Sequence, residues 1–477
     1  MIVNRFSPEL HPPALQYLLY VLLGHVARWL QAPPEALYGM AMGLGVLLLW
    51  RSLNRFFTRV LTAPALRSLA LALVFSTGPA WILPLGLSLL RRPSPWGTAA
   101  LDAATRIEHN TFLALMAPPH LTLALAVLLE ALLALSEPIA RAPRRWMIRT
   151  ILALSALAFL NPFSLPTFLM LLGLRTFLGL WESRPVALLG GIQALVLGLL
   201  SVPLVAYQVA TFQRDPFWGV TYGLQNLQPA YPLPLTLAAL GLLGILGLAG
   251  AVRVWIPGVE ASGFRDRFLS MAAIGLLAIA FLPFPYARRF AYGLGPVLAA
   301  RAAPIAARLL AHPSWKVWGS TPWRRVIRGV TIGILLYSQN AFLYAVYTLS
   351  FLGSGPFPRA VFEPIAAFEA AAWLRAQGPG VVVLACEDDG NFLAGHIEGR
   401  VVLGHPGATF EVARKREEVA AFFGGLLSPT EQAALLQRYR VTHLYEREDR
   451  PCYRKRPAGT PVFQRPPVFV FRAEGVP

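Results

Sequence analysis

The feature that most limits how this chain folds is the recurrence of long apolar runs parted by short arginine-bearing loops. About ten runs approach the length needed to cross a bilayer: 34–50, 68–90, 112–136, 150–162, 164–180, 187–211, 234–251, 268–284, 291–310 and 327–351. In hydrocarbon every backbone N–H and C=O must be satisfied within the segment, so such runs fold as helices. Hydrophobic residues are 56% of the 477, charged residues 14%, and mean hydropathy is +0.53. A soluble core does not need that much apolar surface, and a helical membrane domain does. The pair 150–162 and 164–180 is interrupted by NPF and LP, which also fits one span plus a re-entrant turn.

The net charge of +18 reads as a topology signal rather than as a nucleic-acid footprint. Loops 51–67, 137–149, 252–267 and 311–328 each carry three or more basic residues, and all four fall on one side when the runs alternate. That side is the cytoplasm by the positive-inside rule. Residues 1–33, loops 91–111 and 212–233, the turn at Arg288 and Arg289, and the C-terminus then lie outside. Lys316, Lys415 and Lys455 are the lysines, and the arginine bias fits a GC-rich genome such as that of a heat-adapted bacterium. The N-terminus, MIVNRFSPELHPPALQ, lacks the basic start and apolar stretch of a signal peptide. Residues 14–30 read as a helix lying in the membrane interface, with a true span as the alternative.

Beyond residue 351 the texture changes. The stretch FEPIAAFEAAAWLRAQ has helical period, VVVLAC, VTHLY and VFVFR read as strands, and two further helices lie at 411–427 and 428–440. Ser428 and Glu431 form a capping-box pattern at the second of these. The expected organisation is an external loop with an interfacial helix over 1–33, a polytopic helical domain over 34–351, and an extracytoplasmic α/β domain over 360–477. Cys386 and Cys452 lack metal-ligand spacing; a disulfide and two separate thiols both fit.

Three polar clusters stand out. In LDAATRIEHNTFLALMAPPHLTLAL, Pro118-Pro119 should start a spanning helix and put His120 in its first turn, level with Glu108, His109 and Asn110. A carboxylate, an amide and two imidazoles at a membrane surface can bind a sugar, position a phosphate or exchange protons. The competing reading is a polar loop in which Asn110 or Thr111 caps a helix, and it is the favoured reading for Asp102 and Arg106. In FSPELHPPA, Glu9 and His11 form a second pair, with a solvated entry loop as the alternative. In FPYARRFAYGLGP, Arg288 and Arg289 suit phosphate, since guanidinium pairs with it bidentately; a headgroup anchor is the alternative. Glu130 lies about 15 Å below His120 and reads as structural. The loop bearing Asp215, Trp218, Tyr222 and Tyr231 reads first as an aromatic belt.

These segments carry a resemblance. FSPELHPPALQYLLYVLLGHVARWL, EHNTF with the following PPH, RRFAYGLGPVLAA, and LAGHIEGRVVLGH with the later YRVTHLY are similar to membrane glycosyltransferases of the GT-C type. The protein O-mannosyltransferase-like and oligosaccharyltransferase-like groups belong to that superfamily, and uncharacterised bacterial multi-span proteins look closest. The resemblance implies a GT-C-like fold in the inner (plasma) membrane and transfer of a sugar from a polyprenyl-phosphate donor on the outer face. It implies an inverting displacement in which a carboxylate deprotonates the acceptor and cations hold the leaving phosphate. Glu108, His120 and Glu9 become catalytic candidates; His11, His109, Asn110, Arg288 and Arg289 become substrate-binding candidates. Partners would be a polyprenyl-phosphate-linked sugar and membrane lipid, without nucleic acid. No cofactor is implied, with a divalent metal left open. The family's acidic motif after its first helix has no counterpart here, so a truncated or inactive relative is expected. The alternative class is a non-enzymatic membrane protein, either a lipid or polysaccharide transporter or an assembly scaffold.

Overall fold

Proline punctuates this chain, and most of its apolar runs become helices with a proline in or next to the first turn, where its missing N–H costs nothing. The structure, a computed structural model, describes residues 3–14, 18–76, 106, 108, 110–137, 143–182, 184–223, 227–257, 263–313, 321–353, 363–450, 452–453 and 459–473. It divides into two bodies: Tyr17–Ala206 with Gln228–Thr348, and Met1–Gln16 with Tyr207–Leu227 and Leu349–Pro477.

The first body is helical. Its helices are α1 (Leu18–Leu30), α2 (Pro34–Val60), α3 (Pro64–Val74), α4 (Thr111–Ala114), α5 (Pro119–Ser136), α6 (Pro143–Leu160) and α7 (Ser164–Glu182). After these come α8 (Arg184–Arg214), α9 (Leu233–Arg253), α10 (Phe264–Ile279), α11 (Leu294–Ala311) and α12 (Pro322–Gly353), with α8 from Tyr207 and α12 from Leu349 belonging to the second body. Five stretches among the described residues are long and apolar enough to cross a membrane: Pro34–Val60, Pro119–Ser136, Gly190–Arg214, Leu233–Arg253 and Leu294–Ala311. Leu18–Leu30, Pro64–Val74 and Ser164–Leu180 are shorter apolar helices. The body is thus that of a multi-pass membrane protein. The diproline acts as its chemistry predicts: α4 stops at Ala114 and α5 begins at Pro119.

Fully buried Leu49, Leu53, Phe56, Leu128, Leu132, Leu240, Phe268 and Leu298 join α2, α5, α9, α10 and α11 in one core. Two ion pairs hold charges of this body. Glu130 meets Arg55 at 3.2 Å, and Asp266 meets the buried Arg301 at 2.8 Å. Two glycines bring the start of α11 close to α5 and to Thr111 of α4, Gly293 against Leu128 and Gly295 against Thr111. Gly293 takes φ +97° at the α11 N-cap, and a Cβ on Gly295 would collide with the Thr111 hydroxyl.

The second body is a five-stranded sheet, ordered β2-β1-β3-β5-β4, with β1 Val382–Leu384, β2 Arg400–Val401, β3 His443–Arg447, β4 Phe463–Arg465 and β5 Val468–Arg472. Strand β1 runs parallel to β2 and β3, while β5 is antiparallel to β3 and β4. Alternation along the strands feeds two cores. Val383, Tyr445, Val468 and Val470 pack with α13 (Ile365–Ala376) and α14 (Glu387–His396). Leu384, Leu444, Phe469 and Phe471 pack with α15 (Val412–Phe423) and α16 (Pro429–Tyr439). The Ser428–Glu431 capping box forms as expected. Helix α14 and the short strands β2 and β4 were not legible in advance. Cys386 and Cys452 form a disulfide.

The N-terminal segment belongs to this second body. Val401 N–H donates to the Arg5 carbonyl, lining residue 5 along the β2 edge. The Asn4 amide donates to the Ala408 carbonyl at 2.7 Å, and Thr409 Oγ1 donates to the Phe6 carbonyl at 2.9 Å.

Candidate functional site

Within the helical body the first and third polar clusters of the sequence come together. Residues 228 and 285–288 run side by side: Gln228 N–H donates to the Pro285 carbonyl, and Arg288 N–H donates to the Gln228 carbonyl. That pairing sets Tyr231 beneath Arg288, whose guanidinium lies 4.6 Å from the ring centroid. Arg106 Nε donates to the hydroxyl of the same tyrosine at 3.3 Å. The 3₁₀ turn Ala287–Ala291 is held from another helix by Thr167, whose hydroxyl donates to the Phe290 carbonyl at 2.7 Å. Arg289 sits over the Phe163 ring at 5.2 Å.

Glu108 is 7% exposed and makes no ion pair with a described residue. It is near enough to the buried Tyr292 phenol to act on it electrostatically. The Tyr292 hydroxyl donates to the Leu121 carbonyl at 2.7 Å, one residue beyond His120. His120 stands in the first turn of α5, with Nδ1 2.6 Å from the Tyr20 hydroxyl of α1. The Arg289 guanidinium is near enough to act on His120 electrostatically. Arg106, Tyr231 and Arg288 thus form one contact group, and Tyr20, His120 and Tyr292 meet at the first turn of α5.

Arg288 is 4% exposed, has no carboxylate within ion-pair distance among the described residues, and its buried Nε lacks a hydrogen-bond partner there. A buried cation without a counter-charge is costly, so this arrangement is one that an anion would relieve.

Asn110 has the capping role of the competing reading. Its Oδ1 accepts from Phe112 and Leu113 N–H at the start of α4, and its Nδ2 donates to Asn340 Oδ1 at 2.8 Å. His109, with Asp102, lies outside the described residues. Glu9 and His11 lie in the second body. The fully buried Lys415 ammonium pairs with Glu9 at 2.6 Å, and the Ser7 hydroxyl donates to the same carboxylate. The His11 ring stacks on Phe217 at 4.0 Å; Nε2 accepts from Asn4 N–H and Nδ1 donates to the Glu9 carbonyl. An Nε2 that accepts and an Nδ1 that donates are those of the neutral ring, and burial lowers its pKa in the same sense. Among the described residues no group of three or more His, Cys, Asp or Glu is placed to hold a metal.

Sequence reading passed over Tyr20 and Tyr292, and it ranked Arg106 and Tyr231 as ordinary. A tyrosine in an apolar helix near an interface is the usual belt residue. Only the tertiary contacts separate these four from that background.

No protein-family model matches the chain, and no curated protein matches it. Among solved structures it is similar to the oligosaccharyltransferase of Archaeoglobus fulgidus tethered with an acceptor peptide, at TM-score 0.44 and 12% identity over 93% of this chain and 62% of that one. It is also similar to the oligosaccharyltransferase AglB of that organism in complex with an inhibitory peptide and a dolichol-phosphate, at TM-score 0.42 and 14% identity over 93% and 63%. The chain therefore spans less than two thirds of the length of these proteins.

Proposed function

We propose that this protein is a GT-C-like membrane glycosyltransferase, of the oligosaccharyltransferase-like or protein O-mannosyltransferase-like kind, acting on a polyprenyl-phosphate-linked sugar at the outer face of the membrane. The observation that carries the reading is Arg288: buried, stacked on Tyr231, and without an acid partner among the described residues. Arg288 and Arg289 take the donor phosphate, with Arg106 close by through Tyr231. Glu108 takes the proton of the acceptor hydroxyl, whose oxygen forms the new bond to the anomeric carbon. The bond from that carbon to the phosphate oxygen breaks with inversion, and the electron pair leaves with the phosphate. His120 orders the pocket wall and exchanges the proton onward; Asn110 holds α4 in place. Glu9 and His11, committed to Lys415 and Phe217, take no part in this proposal.

The test uses the full chain in nanodiscs with polyprenyl phosphate as probe, followed by polyprenyl-phosphate sugars in a transfer assay. Arg288→Gln should weaken binding of polyprenyl phosphate roughly 10- to 100-fold, the range for a lost charged hydrogen bond. Arg288→Lys should fall between, because an ammonium does not pair bidentately. Unchanged binding in Arg288→Gln would remove the phosphate assignment. Tight binding with no transfer from any sugar donor would favour the non-enzymatic transporter or scaffold reading.

A further inference from the structure

At the far end of α5 from His120 lies a second collection of arginines that the proposed reaction does not use. Pro143, Arg144, Arg145, Ile148 and Arg149 of α6 line a hollow of about 420 Å³, within the range of small-molecule sites. Arg149 Nη1 donates to Glu137, just past the end of α5, at 2.9 Å, while its buried Nη2 has no hydrogen-bond partner among the described residues. Glu130 pairs with Arg55 at 3.2 Å and stands 4.0 Å from that Nη2 as a longer ion pair. Arg144 and Arg145 have no carboxylate partner among the described residues, and both are exposed. The hollow therefore carries uncompensated positive charge on two side chains, Arg144 and Arg145, beside the paired Arg149.

An apolar track leaves it. Ile148 and Leu152 are 48% and 64% exposed, and Phe159 is 43% exposed. With Arg145 they recur at helical spacing along one side of α6, and the small Ser155 and Ala156, both half-buried, lie between Leu152 and Phe159. From Arg145 to Ser155 the helix rises about 15 Å, half the thickness of a hydrocarbon core. A soluble anion would use the arginines alone. A diffuse surface potential would need no track beneath them.

We propose that this end of α6 is a binding site for one anionic phospholipid, in the leaflet opposite the candidate transfer site. The headgroup phosphate sits in the hollow among Arg144, Arg145 and Arg149, and one acyl chain lies over Ile148 and Leu152 toward Ser155 and Ala156. The site holds the α5–α6 end of the body through lipid, beside the Arg149–Glu137 pair.

The experiment is native mass spectrometry of the full chain released from nanodiscs, titrated with phosphatidylglycerol against phosphatidylcholine and with soluble glycerol phosphate. The wild-type chain should retain phosphatidylglycerol in preference to phosphatidylcholine, and glycerol phosphate should not displace it. The R144Q/R145Q double variant should lose about 30-fold in phosphatidylglycerol affinity. The R324Q/R325Q variant, which removes two exposed arginines from α12, should bind as the wild type does. Leu152→Ala should weaken phosphatidylglycerol while leaving the arginines intact. Equal losses from the two double variants would overturn the site in favour of general surface charge. Displacement by glycerol phosphate, or no preference over phosphatidylcholine, would overturn it as well.

Discussion

The Tyr20 hydroxyl stands 2.6 Å from Nδ1 of His120, tying the N-terminal helix α1 to the first turn of α5. Tyr20 also stacks on Tyr38 of α2 at 6.0 Å, so its ring is held from two sides. Tyr20→Phe keeps the stack and deletes the hydroxyl. It should cost about 1 kcal/mol and speed amide exchange in α1, read by hydrogen–deuterium exchange of the chain in nanodiscs. Unchanged protection of α1 would mean that the bond does not hold the helix.

Glu9 and Lys415 give a second expectation. Lys415 is fully buried, and its ammonium is surrounded by Glu9, Ser7 and the Tyr439 ring. Removing Glu9 alone strands a buried cation, so Glu9→Gln should cost about 3 kcal/mol and open residues 3–14 to limited proteolysis. Combining it with Lys415→Met removes the stranded charge and should restore much of the loss. A restored double variant that is stable yet inactive in transfer would return Glu9 to the catalytic set.

Asp389 sets a pH dependence in the second body. Its carboxyl is 1% exposed and accepts from Tyr453 at 2.8 Å and from Arg447 at 3.2 Å. Burial outweighs Arg447, Tyr453 and Arg450 and pushes its pKa up from 3.8 to about 6. The folded state then binds this proton more tightly than the unfolded chain does. Its contribution to stability is fully present below about pH 4 and falls as the pH rises toward 6, by roughly 3 kcal/mol. Asp389→Asn should flatten that slope in urea titrations at pH 4, 5, 6 and 7. An identical slope in the variant would assign it to another group.

The Cys386–Cys452 disulfide closes a loop with a sequence separation of 66. Tyr453, next to Cys452, accepts the Cys386 N–H at 3.0 Å and donates to Asp389, so the bridge and the ion network share one corner. By loop entropy, reduction or Cys452→Ser should remove about 4 kcal/mol from the second body. Denaturation with and without reductant measures it, and a difference below about 1 kcal/mol would contradict a structural role.

Much of the architecture was legible because it depends on local chemistry. The α5 start at Pro119 follows from a ring that cannot sit mid-helix, and the capping box at Ser428 from a hydroxyl and a carboxylate three residues apart. Strand β5 follows from VFVFR, whose residues alternate between two cores. Strands β2 and β4 escaped because two or three residues carry no period, and they exist through the neighbours they pair with.

By itself, the sequence determined that this chain makes bilayer-length helices and a small α/β body, since hydrophobic length and period are properties of neighbouring residues. It also marked Glu108, His120, Arg288 and Arg289 as out of place among apolar residues. Only the tertiary structure decided which of the marked residues meet. It set Arg288 on Tyr231, brought Tyr292 to Leu121, joined His120 to Tyr20, and drew Glu9 to Lys415 in the other body. Those pairings span from about 50 to 400 positions of sequence, and no local pattern encodes a contact whose energy exists only once both partners are buried together.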